Sequence, residues 1–390
     1  MISVDEALAH VFALSRPMPA ETVPLAEAAG RVLLDPATAL RDQPPFAASA
    51  MDGYAVRDQD VSSGATLTVI GEAAAGHRFA AAVGPGQAVR IFTGAPVPDG
   101  ADRVVIQEDV KRDGDTITLT DDLDTARHIR PAGGDFTAGA EMPAPKRLRP
   151  ADLALLAAMN VAEVAVARRP VVALIATGDE LVMPGETPSP DQIIASNSFG
   201  LKAMAEAAGA EVRLLPIARD SEASLRIGFD LAAGADLIVT IGGASVGDHD
   251  LVAPVADALG MERSFYKIAM RPGKPLMAGR LGDSAMLGLP GNPVSSMVCG
   301  TIFMIPLIQA MLGLGCHRAP RKQAPLAVDI ATNGPREHYM RATLGPDGLT
   351  PFDRQDSSLL SVLGVADALL IRPVGDGARK AGEVTDYIPI

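Results

Sequence analysis

Six short loops combine glycine with carboxylate, hydroxyl, amide or cationic side chains, and together they define the chemistry that this chain can perform. In chain order they are SAMDGYAV (49–56), FTGAPVP (92–98), ATGDEL (176–181), GGASVGDHD (242–250), RPGKP (271–275) and LPGNPVS (289–295). Glycine lets backbone N–H groups approach an anion closely. Carboxylates beside such turns suit a metal ion that neutralises the anion. The set predicts an enzyme that acts on a phosphate-bearing substrate.

The loop GGASVGDHD follows the strand-like run LIVTI and precedes a helical pattern. The residues that permit a tight, donor-rich turn are Gly242, Gly243, Ser245 and Gly247. A phosphate at the N-terminus of the next helix fits this arrangement, and the spacing matches neither a Walker A loop nor the dinucleotide fingerprint. Asp248 and Asp250 are oxygen ligands of the kind that Mg²⁺ prefers. A solvated turn with an aspartate N-cap is the alternative.

The other loops supply charge or stiffness. Asp179 and Glu180 directly follow a predicted strand, and Arg271 and Lys274 lie on a proline-bounded loop where they would clamp an anion. The two prolines of LPGNPVS restrict its backbone and preorganise its amides. Each loop has a structural alternative, respectively a helix N-cap, a pair of surface cations and a plain turn. Asp52 in SAMDGYAV is equally compatible with an Asp-Gly hairpin turn.

Composition limits the classes of function. The chain has 390 residues, of which 48% are hydrophobic and 21% charged, and its formal net charge is −13. These values indicate a soluble protein of two to four domains and argue against nucleic acid as a ligand. The two cysteines form no disulfide framework or zinc site, and the six histidines form no catalytic or metal-binding pattern. The residues alone therefore indicate metal-assisted chemistry on a phosphate ester or anhydride.

Neither the N-terminus nor the most apolar stretch predicts a membrane protein. Residues 1–14 lack the basic start of a signal peptide and open with a capping box formed by Ser3 and Glu6. Residues 294–312 are nearly long enough to span a bilayer, but they contain Pro306 and follow a ligand-like loop. We therefore expect a buried core helix and a cytoplasmic protein.

The order of strand-like and helical patterns predicts an α/β protein of several domains. Strands alternate with helices over residues 169–317, which predicts a doubly wound, mainly parallel sheet with ligands beyond the carboxyl ends of its strands. Residues 41–134 are predicted to form an inserted antiparallel β domain, and residues 318–390 a C-terminal β domain. Residues 1–40 and 135–168 together predict a discontinuous helical domain in which the first helix packs against the helix PADLALLAAMNV. Four of the six loops lie just beyond predicted strands of the doubly wound domain.

In this order, the six loops closely resemble those of the MoeA family, the molybdopterin molybdenumtransferases, which are related to the E domain of gephyrin. The C-terminal segments REHYMRA and RQDSSLLSVLGVADALL extend the resemblance over nearly the whole chain. The resemblance implies an elongated four-part subunit that ends in a β barrel and forms a homodimer. It also implies a reaction in which adenylylated molybdopterin and molybdate, with Mg²⁺, yield molybdenum cofactor and AMP.

The same motifs imply roles for individual residues. The residues implied in catalysis and metal handling are Asp52, Thr93, Asp135, Glu180 and Asp248, with Glu180, Asp248 and Asp250 as metal ligands. Those implied to line the substrate pocket are Gly242, Gly243, Ser245, Gly247, Pro290, Gly291, Asn292, Pro293 and Ser295. Those implied to hold molybdate are Arg271, Lys274, Arg341 and Ser358. In a dimer, Asp52 and Thr93 would complete the site of the other subunit.

Related activities of the same sheet domain are the alternatives, namely a molybdopterin adenylyltransferase and a CinA-like nucleotide pyrophosphatase. SAMDGYAV, FTGAPVP and the C-terminal domain argue against both, and the lack of a long linker and a second enzyme domain argues against a gephyrin-like scaffold. The resemblance further implies transient contacts with the adenylyltransferase and with proteins that mature molybdoenzymes. The sequence departs from the family at Arg271, where lysine is common, and at Gly134, where an acid often precedes Asp135.

Overall fold

The structure is a computed structural model, and it describes residues 1–243 and 251–390. Four positions singled out above lie outside the described residues: Ser245, Gly247, Asp248 and Asp250. The helices in the described ranges are α1 Val4–Ala13, α2 Pro150–Ala158, α3 Asn197–Ala208, α4 Glu222–Leu231, α5 Val252–Ala258, α6 Pro293–Cys299, α7 Ile305–Met311 and α8 Leu360–Leu363. A π-helical turn, Gly300–Met304, joins α6 and α7 into one continuous helix.

The strands are numbered in chain order. Those of the first part of the chain are β1 Ala20–Pro24, β2 Val32–Leu33, β3 Ala37–Thr38, β4 Ala48–Ser49, β5 Gly53–Val56, β6 Thr66–Ala73, β7 Gln87–Ile91, β8 Arg103–Ile106, β9 Val110–Asp113, β10 Thr116–Leu119, β11 Ile129–Arg130, β12 Glu141–Met142, β13 Lys146–Arg147 and β14 Glu163–Ala167. Those of the central part are β15 Val171–Ala176, β16 Leu181–Val182, β17 Ile193–Ile194, β18 Glu211–Leu214, β19 Leu237–Ile241, β20 Glu262–Tyr266, β21 Met270–Arg271, β22 Met277–Leu281 and β23 Ser284–Leu289. Those of the last part are β24 Lys322–Pro325, β25 Glu337–Gly345, β26 Gly348–Pro351, β27 Ala368–Arg372 and β28 Val384–Pro389.

The first region is built around a small sheet with the strand order β1-β14-β2-β13, which joins two segments far apart in the chain. Helix α2 packs on this sheet through Leu156, which is buried in one cluster with Leu33 and Val164. Helix α1 instead buries Leu8 and Val11 in the core of the central sheet, because that surface matches its apolar stripe. The predicted packing of the first helix against α2 is therefore wrong, and the region is mainly a sheet.

The inserted β module is a six-stranded sheet with the order β8-β5-β7-β6-β10-β9. Its neighbouring strands are antiparallel except for β6 and β7, which are parallel. The predicted all-antiparallel arrangement is wrong at this pair. Residues 74–86 carry the chain back to the end of the sheet at which β6 begins, so β7 runs in the same direction as β6.

The central sheet has the order β18-β15-β19-β23-β22-β20. Its first four strands are parallel, whereas β22 and β20 are antiparallel to their neighbours. Helices α1, α3, α6 and α7 share the core on one face, and α4 and α5 share the core on the other. Helices on both faces of a mainly parallel sheet confirm the predicted doubly wound domain.

The continuous helix Pro293–Met311 has 19 residues and is long and apolar enough to cross a membrane. However, most of this helix is buried inside the protein. Cys299 lies in this helix, and burial raises the pKa of its thiol far above the usual range. The segment is therefore a core helix with an inert thiol, as the sequence predicts.

The C-terminal region is a sheet with the order β21-β25-β27-β28-β24, in which β26 also pairs with β25. A bridge between Leu326 and Leu349 links its outer segments and brings the sheet close to a closed barrel. Strand β21 belongs to the RPGKP loop of the central domain and pairs in parallel with β25. The barrel and the doubly wound domain therefore share a strand beside one of the predicted ligand loops.

Candidate functional site

A cavity of about 690 Å³ lies at the carboxyl ends of β15, β19 and β23, the edge at which doubly wound sheets bind ligands. We call it the edge cavity. The predicted site residues that line it are Glu180, Gly242, Gly243, Pro290, Gly291, Asn292, Pro293 and Ser358. Asn197 and Asp220 also line it, although the sequence did not single them out as site residues. These residues come from six chain segments, which thus meet around one cavity.

Glycines let three loops come together at this edge. Gly242 has a φ of +95°, and a Cβ there would lie 2.8 Å from the Thr177 carbonyl oxygen. Gly243 has a φ of +62°, and a Cβ there would overlap the Val252 side chain. A Cβ on Gly291 would lie 3.5 Å from the Gly242 Cα. The first two positions require glycine both for backbone conformation and for space.

The loop that carries Glu180 is held by the guanidinium of Arg219. The Arg219 Nη1 donates hydrogen bonds to the carbonyl oxygens of Asp179 and Leu181, each at 3.0 Å. Gly178 has a φ of +145°, and any Cβ on it would overlap the Glu180 carboxylate. The carboxylate of Glu180 therefore folds back over Gly178 at the wall of the edge cavity.

Asn197, the first residue of α3, fixes the loop LPGNPVS. Its Nδ2 donates to the Gly291 carbonyl oxygen at 2.7 Å and to Ser296 Oγ at 3.4 Å. Ser296 Oγ in turn donates to the Pro290 carbonyl oxygen. Ser295 lies in the first turn of α6, is 4% exposed and is not among the residues that line the edge cavity. The hydroxyl that shapes this loop is thus Ser296, which the sequence did not single out.

Arg271 and Lys274 are the exposed cations of the RPGKP loop. In residues 1–243 and 251–390, neither side chain has an ion-pair or hydrogen-bond partner. The backbone of Arg271 is fixed because Arg271 of β21 pairs in parallel with His338 of β25. Gly273, with a φ of +107°, packs so closely on Cys299 that a Cβ would lie 2.6 Å from its Sγ. Two exposed cations on an anchored loop give this acidic protein a local positive field.

His338 is 7% exposed and gives this region a pH dependence. Four arginines act on it electrostatically: Arg271, Arg336, Arg341 and Arg372. Burial and these charges lower the pKa of His338 to about 4. A histidine whose pKa is lower in the folded state stabilises the fold while neutral, and this contribution is lost as the pH falls from about 6.5 towards about 4.

We therefore expect His338→Gln to resist acid better than the wild type. The free energy of unfolding is measured in urea at about pH 7 and at about pH 4.5. Its decrease between these two pH values should be smaller in the variant than in the wild type, by roughly 2 kcal/mol. Both proteins lose stability from their other titrating groups, so only the difference between them reports on His338. Equal losses in the two proteins would contradict the assignment.

Residues 352–359 form a loop that links the barrel to the edge cavity, and we call it the bridging loop. The Ser357 carbonyl oxygen accepts a hydrogen bond from the Val294 N–H at 3.0 Å, and Ser357 Oγ accepts one from Asn292 Nδ2 at 3.0 Å. Ser358 follows and lines the cavity. Ser357 is thus a contact between the two domains that sequence reasoning missed.

Arg341 lies behind the bridging loop and is 1% exposed. Its Nη1 donates to the Asp356 carbonyl oxygen at 2.9 Å, and its Nε donates to Gln355 Oε1 at 3.3 Å. It is not among the residues that line the edge cavity. Two of its three guanidinium nitrogens therefore hold the loop that presents Ser358, and the implied role of Arg341 in holding molybdate stays a prediction.

Asp52 and Thr93, 41 positions apart, meet in the inserted β module. Asp52 Oδ1 accepts hydrogen bonds from the N–H and the Oγ1 of Thr93, both at 2.7 Å, and these bonds lower the pKa of the carboxyl. The pair does not line the edge cavity of its own subunit. Asp135 is exposed in the segment after β11, where its N–H donates to the Gln43 carbonyl oxygen at 2.9 Å.

The carboxylates around the edge cavity bear on metal binding. Within the part of the chain that the structure describes, no group of three His, Cys, Asp or Glu side chains is placed to hold a metal ion. Glu180 and Asp220 nevertheless both line the cavity, and the Asp220 N–H is anchored on Asp179 Oδ1 at 3.1 Å. Mg²⁺ prefers oxygen ligands and usually takes one or two carboxylates while keeping several waters. This donor set fits that ion.

Models of protein families cover nearly the whole chain. Residues 2–160 match the MoeA N-terminal region (domain I and II), residues 173–310 match a probable molybdopterin binding domain, and residues 323–390 match the MoeA C-terminal region (domain IV). Each match falls on a segment that contains loops or contacts described above.

Individual relatives agree with these matches. A Nostoc protein named molybdopterin molybdenumtransferase is 35% identical over 93% of this chain and 87% of its own length. A Haemophilus influenzae protein of the same name is 38% identical over 80% of this chain and 78% of its own length. A crystal structure of a molybdopterin biosynthesis MoeA protein from Pyrococcus horikoshii is 30% identical, covers 100% of this chain and 99% of its own, and has a TM-score of 0.84.

Proposed function

Since the chain belongs to the MoeA family, we propose that it is a molybdopterin molybdenumtransferase and that the edge cavity is its active site. It inserts molybdate into adenylylated molybdopterin and releases AMP, which completes the molybdenum cofactor. The relatives that carry this name align over most of the chain. The flanking family matches at residues 2–160 and 323–390 favour this activity over an adenylyltransferase or a CinA-like pyrophosphatase, whose resemblance concerns the central domain.

The substrates explain why these side chains are needed. The substrate anhydride and molybdate are both anions, and the protein has a formal charge of −13. Gly243 and Gly291 present bare backbone at the wall of the edge cavity, where phosphates can bind, and the exposed Arg271 and Lys274 supply the positive charge that attracts molybdate. Glu180 and Asp220 would hold Mg²⁺, which when bound neutralises charge on the anhydride.

The observation that carries the proposal is that Glu180, the glycine loops and Ser358 of the barrel surround one cavity. The test is AMP release from adenylylated molybdopterin by the purified full-length protein with Mg²⁺, measured with and without molybdate. We expect release to depend on molybdate. A folded protein that released no AMP would overturn the proposal, and equal release without molybdate would favour a pyrophosphatase.

We further propose a homodimer in which the Asp52–Thr93 pair of one subunit completes the edge cavity of the other, because the pair does not line its own cavity. Asp52→Ala and Lys274→Ala should each be nearly inactive alone. After the two variants are mixed and allowed to exchange subunits, half of the dimers are hybrids with one intact site, so we expect about a quarter of wild-type AMP release. Hybrid dimers, isolated with two affinity tags, that remain inactive would contradict a shared site.

The reactivity of the substrate suggests how the enzyme works in the cell. An adenylylated molybdopterin is a phosphate anhydride, and passing it directly between proteins limits its hydrolysis. We therefore propose transient contacts with the adenylyltransferase that makes the substrate and with the proteins that mature molybdoenzymes. We place these steps in the cytoplasm.

A further inference from the structure

The side-chain amide of Gln355 forms hydrogen bonds with Arg341 through both its oxygen and its nitrogen. Gln355 Oε1 accepts hydrogen bonds from the Arg341 backbone N–H at 3.0 Å and from Arg341 Nε at 3.3 Å. Gln355 Nε2 donates to the Arg341 carbonyl oxygen at 2.9 Å and to the Phe352 carbonyl oxygen at 2.8 Å. One side chain therefore fixes both the backbone of Arg341 and the rotation of its guanidinium group.

The guanidinium group of Arg341 is consequently fixed against the backbone that carries Ser358. Its Nη1 donates to the carbonyl oxygens of Asp356 at 2.9 Å and of Leu359 at 3.5 Å, and these two residues flank Ser357 and Ser358. Among the described residues no acceptor is found for Nη2, and this atom is not one of those sealed from solvent. A guanidinium donor in so buried a residue gains most from an anionic acceptor.

We infer that Gln355 is a positioning residue for the oxyanion substrate. By holding Arg341 Nε and the backbone of the bridging loop, it leaves Nη2, which has no acceptor among the described residues, for an oxygen of the oxyanion. It thereby fixes the donor Arg341 Nη2 relative to Ser358, whose Oγ donates a hydrogen bond to Asp356 Oδ1 at 2.6 Å. The inference rests on the proposed function, since molybdate is the oxyanion that the reaction uses.

The test measures KM separately for each of the two substrates of the full-length enzyme. In Gln355→Ala we expect the KM for molybdate to rise about 10-fold, while kcat at saturating molybdate and the KM for adenylylated molybdopterin change less than about 2-fold. Gln355→Glu keeps the acceptor for Arg341 but loses the donor to the Arg341 and Phe352 carbonyl oxygens, and its charge repels molybdate, so it should not recover the affinity for molybdate. Gln323→Ala is the matched control, because the exposed Gln323 only donates through Nε2 to Asp386 on the same barrel, at 2.9 Å, so the variant should resemble the wild type.

Each other outcome overturns the inference. A lower thermal midpoint with an unchanged KM for molybdate would make Gln355 a purely structural residue. Equal increases in both KM values would indicate general damage to the bridging loop. If Gln355→Ala does not fold, Gln355→Asn serves instead, since its shorter amide cannot reach Arg341 and Phe352 together. Failure of the proposed function is distinguishable, because the wild-type enzyme would then show no molybdate-dependent release of AMP.

Discussion

Replacing Glu180 by glutamine should lower molybdate-dependent AMP release by about 100-fold or more, in line with the loss of a carboxylate that acts at a reaction centre. The carboxylate lies at the wall of the edge cavity, folded over Gly178, in a loop that Arg219 holds by carbonyl hydrogen bonds. Glutamine keeps the size of the side chain and removes its charge. Because Glu180 is exposed, the free energy of unfolding should change by less than about 0.5 kcal/mol.

Glu186→Gln is the matched control for this experiment. Glu186 is exposed a few residues further along the chain, where its Oε2 accepts a hydrogen bond from the Met183 N–H at 2.8 Å, and it does not line the edge cavity. Glutamine retains an acceptor for that bond, so we expect wild-type AMP release. If the two variants retained similar activity, Glu180 would not be part of the reaction centre. Calorimetric titration with Mg²⁺ would then show whether Glu180 contributes to metal binding at all.

The position of the edge cavity was predictable because it depends on local patterns. VVALIA and LIVTI are short, mainly apolar runs with a glycine within two residues of their ends, and each forms a buried parallel strand with a ligand loop at its carboxyl end. Since the carboxyl ends of parallel strands meet at one edge, the loops after β15, β19 and β23 had to converge. Glu180, Gly242 and Gly291 therefore line one cavity as expected.

Contacts between distant segments were not predictable in this way. Asn292 and Ser357 are 65 positions apart, and nothing in the spacing of either motif indicates their hydrogen bond. The amphipathic pattern of α1 defines an apolar face but does not say which surface covers it, and Leu8 packs on the central sheet instead of α2. An arginine in a motif reveals its charge but not its burial, so the enclosure of Arg341 behind the bridging loop was missed. These features follow from tertiary packing, which a local pattern does not encode.

Replacing Gly53 by alanine should destabilise the inserted β module and inactivate the enzyme. Gly53 is the first residue of β5, a strand between β7 and β8, and it does not have a positive φ. A Cβ there would overlap the carbonyl oxygen of Val105, which is backbone and has no room to move without breaking the pairing of β5 with β8. We expect a loss of about 3 kcal/mol in the free energy of unfolding, measured by urea denaturation. Asp52 precedes this residue, so displacement of β5 also separates its carboxylate from Thr93.

Gly64→Ala separates the effect of crowding from that of backbone strain. Gly64 lies in the same module with a φ of +74°, and a Cβ on it would meet no atom within 4 Å. Alanine there should lower the free energy of unfolding by about 1 kcal/mol, because the left-handed backbone conformation is unfavourable for alanine. AMP release should be unchanged, because Asp52 and Thr93 stay in place. If Gly53→Ala cost no more than Gly64→Ala, glycine at position 53 would reflect a turn preference, as the Asp-Gly sequence by itself allows. A larger cost with loss of activity would show instead that the close approach of two strands requires glycine and holds Asp52 against Thr93.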